Sequence, residues 1–139
     1  MNISQLLTSS NSLCVIGCSD KPGRAGHDIP AYMRSHGFSI IPVNPNITSV
    51  FGKSSFPSII DVPPDFVVDI VVIFRNPRYT QKAVSEIVLW AERTGQKPVI
   101  WTQLGVSSPA AEDIAAKAGL EYVENACIAV EYAKYKPRN

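Results

Sequence analysis

Apolar positions fall into short runs separated by amphipathic stretches, and the alternation predicts strand, helix, strand, helix along the whole chain. The first run is Leu13-Cys14-Val15-Ile16-Gly17, too short for a helix and closing into a glycine-rich segment. Ile29, Tyr32, Met33 and His36 then recur at i, i+3, i+4 and i+7, with Gly37 placed as a stop, which predicts a helix over 28–36. Proline is tolerated only in a helix's first turn, so Pro30 sets the expected start near His27. The second strand covers 38–44. Its Pro42 can donate nothing to a ladder, which marks an edge or an irregular strand end. The third run, 69–74, is nearly continuous in apolar and β-branched residues, as a strand covered on both faces requires.

The next helix is marked at both ends. Asn76 is placed to cap it, Pro77 suits the first helical position, and Val84, Ile87, Val88 and Ala91 make one stripe before Gly95. A fourth strand over 98–102 leads to a helix capped by Ser108 and opened by Pro109. Ala111, Ile114, Ala115 and Ala118 line one face of that helix and Gly119 ends it, before a short fifth strand over 120–124. Residues 45–64 form a long irregular connection, with room for a short helical turn over 58–62. Strands alternating with helices imply right-handed crossovers. The expected fold is α/β: a Rossmann-like, doubly wound, mainly parallel five-stranded sheet of order 3-2-1-4-5 with helices on both faces. An antiparallel pairing of the first two strands would contradict it.

Composition narrows the class. A chain of 139 residues has the size of one domain, expected over 1–139, and such a chain buries roughly 65–70% of its unfolded surface. With 45% hydrophobic and 18% charged residues it is not a disordered segment. A net charge of +1 gives no sign of nucleic acid or an anionic membrane as the main partner, but leaves room for a local basic cluster facing a small anion. Met1-Asn2-Ile3-Ser4-Gln5-Leu6-Leu7 lacks the flank and apolar core of an export signal, and no run approaches the ~20 apolar residues of a membrane span. Three cysteines without an export signal read as free thiols, so the cytoplasm is the expected location.

In doubly wound sheets the ligand lies beyond the carboxyl ends of the strands, where strand order reverses. Four segments fall there: residues 17–26, Asn44-Pro45-Asn46, Phe74-Arg75-Asn76-Pro77 and Thr102-Gln103-Leu104-Gly105. The first offers glycines for close approach of backbone N–H groups, a helix N-terminus, and the charges of Lys21 and Arg24. It is neither a Walker loop nor GxGxxG, and glycine-rich turns also serve simply to reverse a chain. Dinucleotide-binding Rossmann domains place Asp or Glu at the end of the second strand to hold a ribose. Asn44 stands there instead, which disfavours a nicotinamide or flavin dinucleotide.

At these segments the sequence resembles the small CoA-binding proteins, whose domain is similar to the N-terminal CoA-binding domain of the succinyl-CoA synthetase α-subunit and related acyl-CoA synthetases. The stretches that carry the likeness are Val15-Ile16-Gly17-Cys18-Ser19-Asp20-Lys21-Pro22, Ile41-Pro42-Val43-Asn44-Pro45, Val72-Ile73-Phe74-Arg75 and Trp101-Thr102-Gln103-Leu104-Gly105, with Asn125-Ala126-Cys127-Ile128 as a weaker one. The resemblance implies CoA or an acyl-CoA lying across the strand ends. It puts Gly17, Cys18, Ser19, Lys21 and Arg24 near phosphate, and Asn44 and Pro45 beside the nucleotide. It also puts Phe74 and Arg75 at an apolar and charged contact, and Gln103 and Gly105 on the far wall. Members often carry a basic residue where this chain has Ala126, so one phosphate contact is expected to be missing.

No complete catalytic set can be assembled. The α-subunit's phosphorylated histidine belongs to a second domain, and the histidines here are His27, read as solvent-facing, and His36, read as structural in a helix's last turn. Cys14 reads as core strand. Cys18 reads as a small residue fitting a tight loop, or else as a thiolate favoured by a helix N-terminus and able to form a mixed disulfide with CoA. Asp20 shapes the turn, Trp90 and Trp101 pack the core, and the tail Lys134-Tyr135-Lys136-Pro137-Arg138 is a solvated end. The expected function is CoA binding without catalysis. The alternatives are the CoA-binding subunit of an enzyme whose catalytic partner is another chain, and an NAD(H)-binding redox module.

Overall fold

β1 (Ser12–Ile16) pairs in parallel with β2 (Ser39–Val43) on one side and with β5 (Ile70–Ile73) on the other in a computed structural model that describes residues 1–136. Beyond β5 lie β6 (Val99–Thr102) and β7 (Tyr122–Val123), also parallel, giving the order β2-β1-β5-β6-β7. The end of the basic tail, residues 137–138, falls outside the described residues.

The five-stranded parallel sheet is as expected, but the order is not. Counting only its strands, the sheet runs 2-1-3-4-5 rather than 3-2-1-4-5. The reason lies in two strands. Ile70, Val71, Val72 and Ile73 are all fully buried, and an edge place would have left one side of that strand's backbone unpaired. Pro42, conversely, belongs at an edge. Its carbonyl faces outward and accepts from the N–H of Phe56 at 3.0 Å, so the donor it lacks would also have faced outward, away from β1. The long connection between β2 and β5 carries the chain back across β1. Strand order therefore reverses between β1 and β5.

Successive residues of the central strands alternate between two cores. Cys14, Ile16, Val71, Ile73 and Ile100 face α3 (Thr80–Thr94) and α4 (Pro109–Lys117). Leu13, Val15, Ile70, Val72 and Trp101 face α1 (Ile3–Ser9), α2 (Ala25–Ser35) and α5 (Ile128–Tyr135). Both tryptophans are fully buried, with Trp90 Nε1 donating to the Val62 carbonyl and Trp101 Nε1 to that of Ala126. No helix among the described residues is long and apolar enough to cross a membrane.

The expected caps are present. Asn76 accepts from the Arg78 N–H at the start of a 3₁₀ turn (Pro77–Tyr79) that runs into α3, Ser108 accepts from Ala111 N–H, and Ser58 opens a 3₁₀ turn (Ile59–Asp61). Ala118 is exposed and caps α4 instead of packing beneath it, because the helix ends at Lys117. The expected fifth strand shrinks to Tyr122–Val123. α1 and α5 and a two-stranded hairpin, β3 (Ser49–Val50) with β4 (Lys53–Ser54), are additions to the expected elements.

α2 begins at Ala25, two residues earlier than Pro30 was expected to allow. A proline in the second turn leaves the carbonyl four residues back without its helical donor. That carbonyl is Gly26's, and it accepts instead from Ser19 N–H at 3.0 Å. The acceptor freed by the proline thus fastens the loop before the helix.

Candidate functional site

That fastened loop borders a cavity of about 1020 Å³ at the carboxyl ends of β1, β2, β5 and β6. Two glycines let its backbone close up. At Gly17, whose φ is +83°, a Cβ would stand 2.5 Å from the Phe74 carbonyl oxygen, and at Gly26 a Cβ would stand 2.8 Å from the Gly17 carbonyl oxygen. Both contacts are impossible for any side chain, so the β1–α2 turn lies directly on the end of β5. Asn44 ties in the end of β2. Its Nδ2 donates to the Cys18 carbonyl at 2.8 Å and its Oδ1 accepts from Asn46 N–H. The middle of the loop is held by Asp28, whose Oδ1 accepts from Gly23 N–H at 3.1 Å and meets His27 Nδ1 at 2.9 Å. These bonds, the one with His27 foremost, keep the Asp28 carboxyl below its ordinary range.

Eight of the eleven expected site residues line this cavity: Gly17, Ser19, Lys21, Arg24, Asn44, Phe74, Arg75 and Gln103. Three do not. Cys18 is fully buried beneath the loop, Pro45 is exposed to one side, and Gly105 is exposed and donates its N–H to Asn125 Oδ1 at 3.1 Å. Burial, with the nearby charge of Asp20, pushes the Cys18 thiol up to about 12, so the stabilised thiolate considered for it does not form at neutral pH. His27 is not solvent-facing either. Its ring packs 5.2 Å from that of Phe51 at the hairpin tip. The His36 ring packs at a tilt against those of Tyr32 and Tyr132, in keeping with a structural role.

Electrostatically the cavity is positive. Lys21, Arg24 and Arg75 line it against one carboxylate, Asp20, and none of the three cations is in an ion pair among the described residues. Arg75 lies over the Tyr79 ring at 5.0 Å, which orients the guanidinium while leaving its charge available. Backbone N–H groups at the start of α2 add to the same potential.

The opposite wall was largely missed. Leu104, Val106 and Cys127 complete it, and Ile29 and Ile47 add apolar surface. Ile29 entered the sequence reading only through the helical spacing of 28–36, and the start of α5 only through the weaker likeness of Asn125-Ala126-Cys127-Ile128. Gln103 is 6% exposed, and its Oε1 accepts from Ile128 N–H at 2.9 Å, which joins β6 to α5.

Comparisons with known proteins identify the family. The family model described as a CoA binding domain matches residues 11–133. The protein YneT of Bacillus subtilis is 30% identical over 134 residues, 96% of this chain and 94% of YneT. The ADP-forming acetate–CoA ligase II of Archaeoglobus fulgidus is 32% identical over 98 residues, 69% of this chain but 14% of the ligase. The chain thus spans nearly all of the first relative and about a seventh of the second. Among solved structures, a hypothetical protein from Pyrococcus horikoshii superposes with a TM-score of 0.87 at 30% identity, covering 97% of this chain and 90% of that one. With the family model covering most of the chain and a relative of matching length, this protein belongs to the CoA-binding domain family.

Proposed function

We propose that the chain binds CoA or an acyl-CoA in the strand-end cavity and performs no chemistry on it alone. One observation carries the reading: three cations without carboxylate partners, Lys21, Arg24 and Arg75, converge with the N-terminus of α2 on one cavity. CoA carries a diphosphate and a 3′-phosphate, and a protein of net charge +1 must meet that charge locally. In this reading the loop of Gly17, Ser19, Lys21 and Arg24 takes phosphate, Phe74 and Arg75 take the adjoining part of the nucleotide, and Gln103 faces the pantetheine arm. Asn44 acts through the loop it holds, since both ends of its amide are engaged. Cys18, Pro45 and Gly105 support these contacts from outside the cavity.

Calorimetric titration tests this. CoA should bind more tightly than dephospho-CoA and far more tightly than NAD. Equal affinity for CoA and dephospho-CoA would remove the 3′-phosphate argument, and tighter binding of NAD would replace the reading with that of a redox module.

A second reading is favoured by the partial coverage of the acetate–CoA ligase, 14% of its length. The chain would then be the CoA-binding component of an acyl-CoA-processing enzyme, with the remaining parts on another chain. Co-purification of the tagged protein with a larger partner would support it.

A further inference from the structure

Alternation along the strands puts Ser12 with Cys14 in β1, and Ser39 with Ile41 in β2, on the sheet face that α3 and α4 cover further along. At the amino ends of these two strands the cover is different. A cavity of about 420 Å³ lies there, walled by residues 53–56 and 66–67 and by no helix. It shares no lining residue with the strand-end cavity.

Its apolar wall is held out toward water. Phe66 is 38% exposed and Val67 68%, yet neither lies on a loose loop. Gln96 Nε2 donates to the Phe66 carbonyl at 2.8 Å, and Gln96 Oε1 accepts from Val68 N–H. Ser12 Oγ donates to the Val67 carbonyl at 2.7 Å. Phe56 stands edge-to-face with Phe66, ring centroids 5.8 Å apart, and is fixed by its own N–H on the Pro42 carbonyl. A tethered segment that presents apolar side chains to a cavity marks a place where an apolar group binds.

The mouth is polar and carries one sign of charge. Lys53 Nζ donates to Ser39 Oγ at 3.0 Å and belongs to no ion pair among the described residues. No carboxylate among those residues lines the cavity, and Asp69, just before β5, spends its Oδ2 on the N–H groups of Asn11 and Ser12. Because Lys53 is the donor in its bond, the Ser39 hydroxyl keeps its own hydrogen to give. An ammonium and a hydroxyl side by side offer donors to both oxygens of one carboxylate. A phosphate would find one cation here against the three of the strand-end cavity.

We propose that this cavity is a second ligand site, for a small monocarboxylic acid with an apolar body. The carboxylate lies on Lys53 Nζ and the Ser39 hydroxyl, and the body on Ile41, Phe56 and Phe66. The site is independent of the CoA reading, because none of these residues takes part in it.

The probe is 3-phenylpropionate, whose ring can join the edge-to-face pair. Titrated into the full chain and followed by amide NMR, it should saturably move the signals of Ser39, Ile41, Lys53, Phe56 and Phe66. Those of Lys21, Arg24 and Gly26 should stay in place. So small a ligand in an open pocket should show a dissociation constant on the order of 1 mM. 3-Phenylpropanol should bind several-fold more weakly, and 3-phenylpropylamine more weakly still. Lys53→Gln should weaken the acid roughly 3- to 10-fold, the modest loss expected of an exposed cation, and bring acid and alcohol to equal affinity. Lys53 is exposed, so the urea midpoint of that variant should match wild type. Phe66→Ser should remove the binding of all three compounds. Equal affinity for acid and amine, an unchanged affinity in Lys53→Gln, shifts centred on the strand-end cavity, or no saturable shift at tenfold that concentration would each overturn the proposal. So would a dimer in sedimentation whose interface protects Phe66 and Val67, since a second copy would then account for the apolar wall. The titration uses no CoA, so a failure of CoA binding leaves its outcome untouched.

Discussion

The two walls of the cavity are built by opposite means. The wall formed by the β1–α2 turn is contiguous in the chain and fixed by its backbone. Pro30 frees the Gly26 carbonyl, Ser19 N–H takes it, and Gly17 and Gly26 pack where no Cβ fits. The wall formed by β6 and α5 joins residues 25 positions apart through side chains: Gln103 to Ile128 N–H, Trp101 to the Ala126 carbonyl, and Asn125 to Gly105 N–H across a shorter gap. A wall made by backbone contact tolerates no added atom. A wall made by side-chain bonds tolerates change wherever donor and acceptor survive.

The largest effect should come from the first kind. Gly17→Ala forces a residue with a Cβ into the left-handed region and against the Phe74 carbonyl. Strain and overpacking together should cost about 3 kcal/mol, read as a lower urea midpoint. Gly26→Ala, which meets only the Gly17 carbonyl, should cost about 1–3 kcal/mol. A Gly17→Ala protein as stable as wild type would show that the turn does not lie on β5.

Arg24→Glu separates charge from architecture on the same wall. Arg24 is exposed and its side chain makes no cap bond, so the unfolding midpoint should not move. CoA binding should weaken roughly 10- to 150-fold, the loss of one charge-assisted contact of about 1.5–3 kcal/mol. Calorimetry on wild type and variant decides it. A shift in stability with unchanged affinity would put Arg24 among the structural residues.

On the opposite wall, Gln103→Met keeps volume but leaves the buried Ile128 N–H without its acceptor, at about 1–3 kcal/mol. The loss should be local. Amide exchange should speed up at Ile128 and through the first turn of α5, with the β1–α2 turn unchanged. Uniform acceleration throughout the chain would mean that the two walls unfold together.

The same contrast governs what could be read from the residues alone. Asn76-Pro77 with Gly95, and Ser108-Pro109 with Gly119, are local signals and gave correct helices. The loop of residues 17–26 was legible because glycine, proline and cations lie together. Strand order was not, although Pro42 carried the decisive hint: an order of 3-2-1-4-5 encloses the second strand, which a proline with its bare side outward forbids. The hairpin was hidden by Phe51, whose φ of 55° puts a bulky residue where turn chemistry calls for Asn or Gly. Its ring lies against His27 and under the Arg34 guanidinium, contacts that only the folded chain supplies. The Gln103–Ile128 joint depends on the same kind of distant partner, which is why Cys18 drew notice and Cys127 little.

The smallest effect concerns the one titratable clasp of the backbone wall. Asp28 accepts from Gly23 N–H and pairs with His27, and both bonds favour its charged form, so its carboxyl titrates below the ordinary aspartate range. A depressed native pKa means that the unfolded chain binds the proton more readily than the folded one. The contribution is therefore complete above about pH 4, the unfolded value, and disappears as pH falls through the lower native value. Asp28→Asn cannot lose a charge, so its urea midpoint should fall less steeply than that of wild type between about pH 5 and about pH 2. The remaining carboxylates are shared by both proteins, and the difference in slope isolates this one. Asp28 is exposed, so the difference should be small. It should nevertheless confine itself to one wall: acid should speed amide exchange at Gly23 in wild type, not in Asp28→Asn, and should do so without a matching change at Ile128. Parallel acid profiles for the two proteins would show that Gly23 is held by the turn's own backbone, as Gly17 and Gly26 are, with no help from the carboxylate.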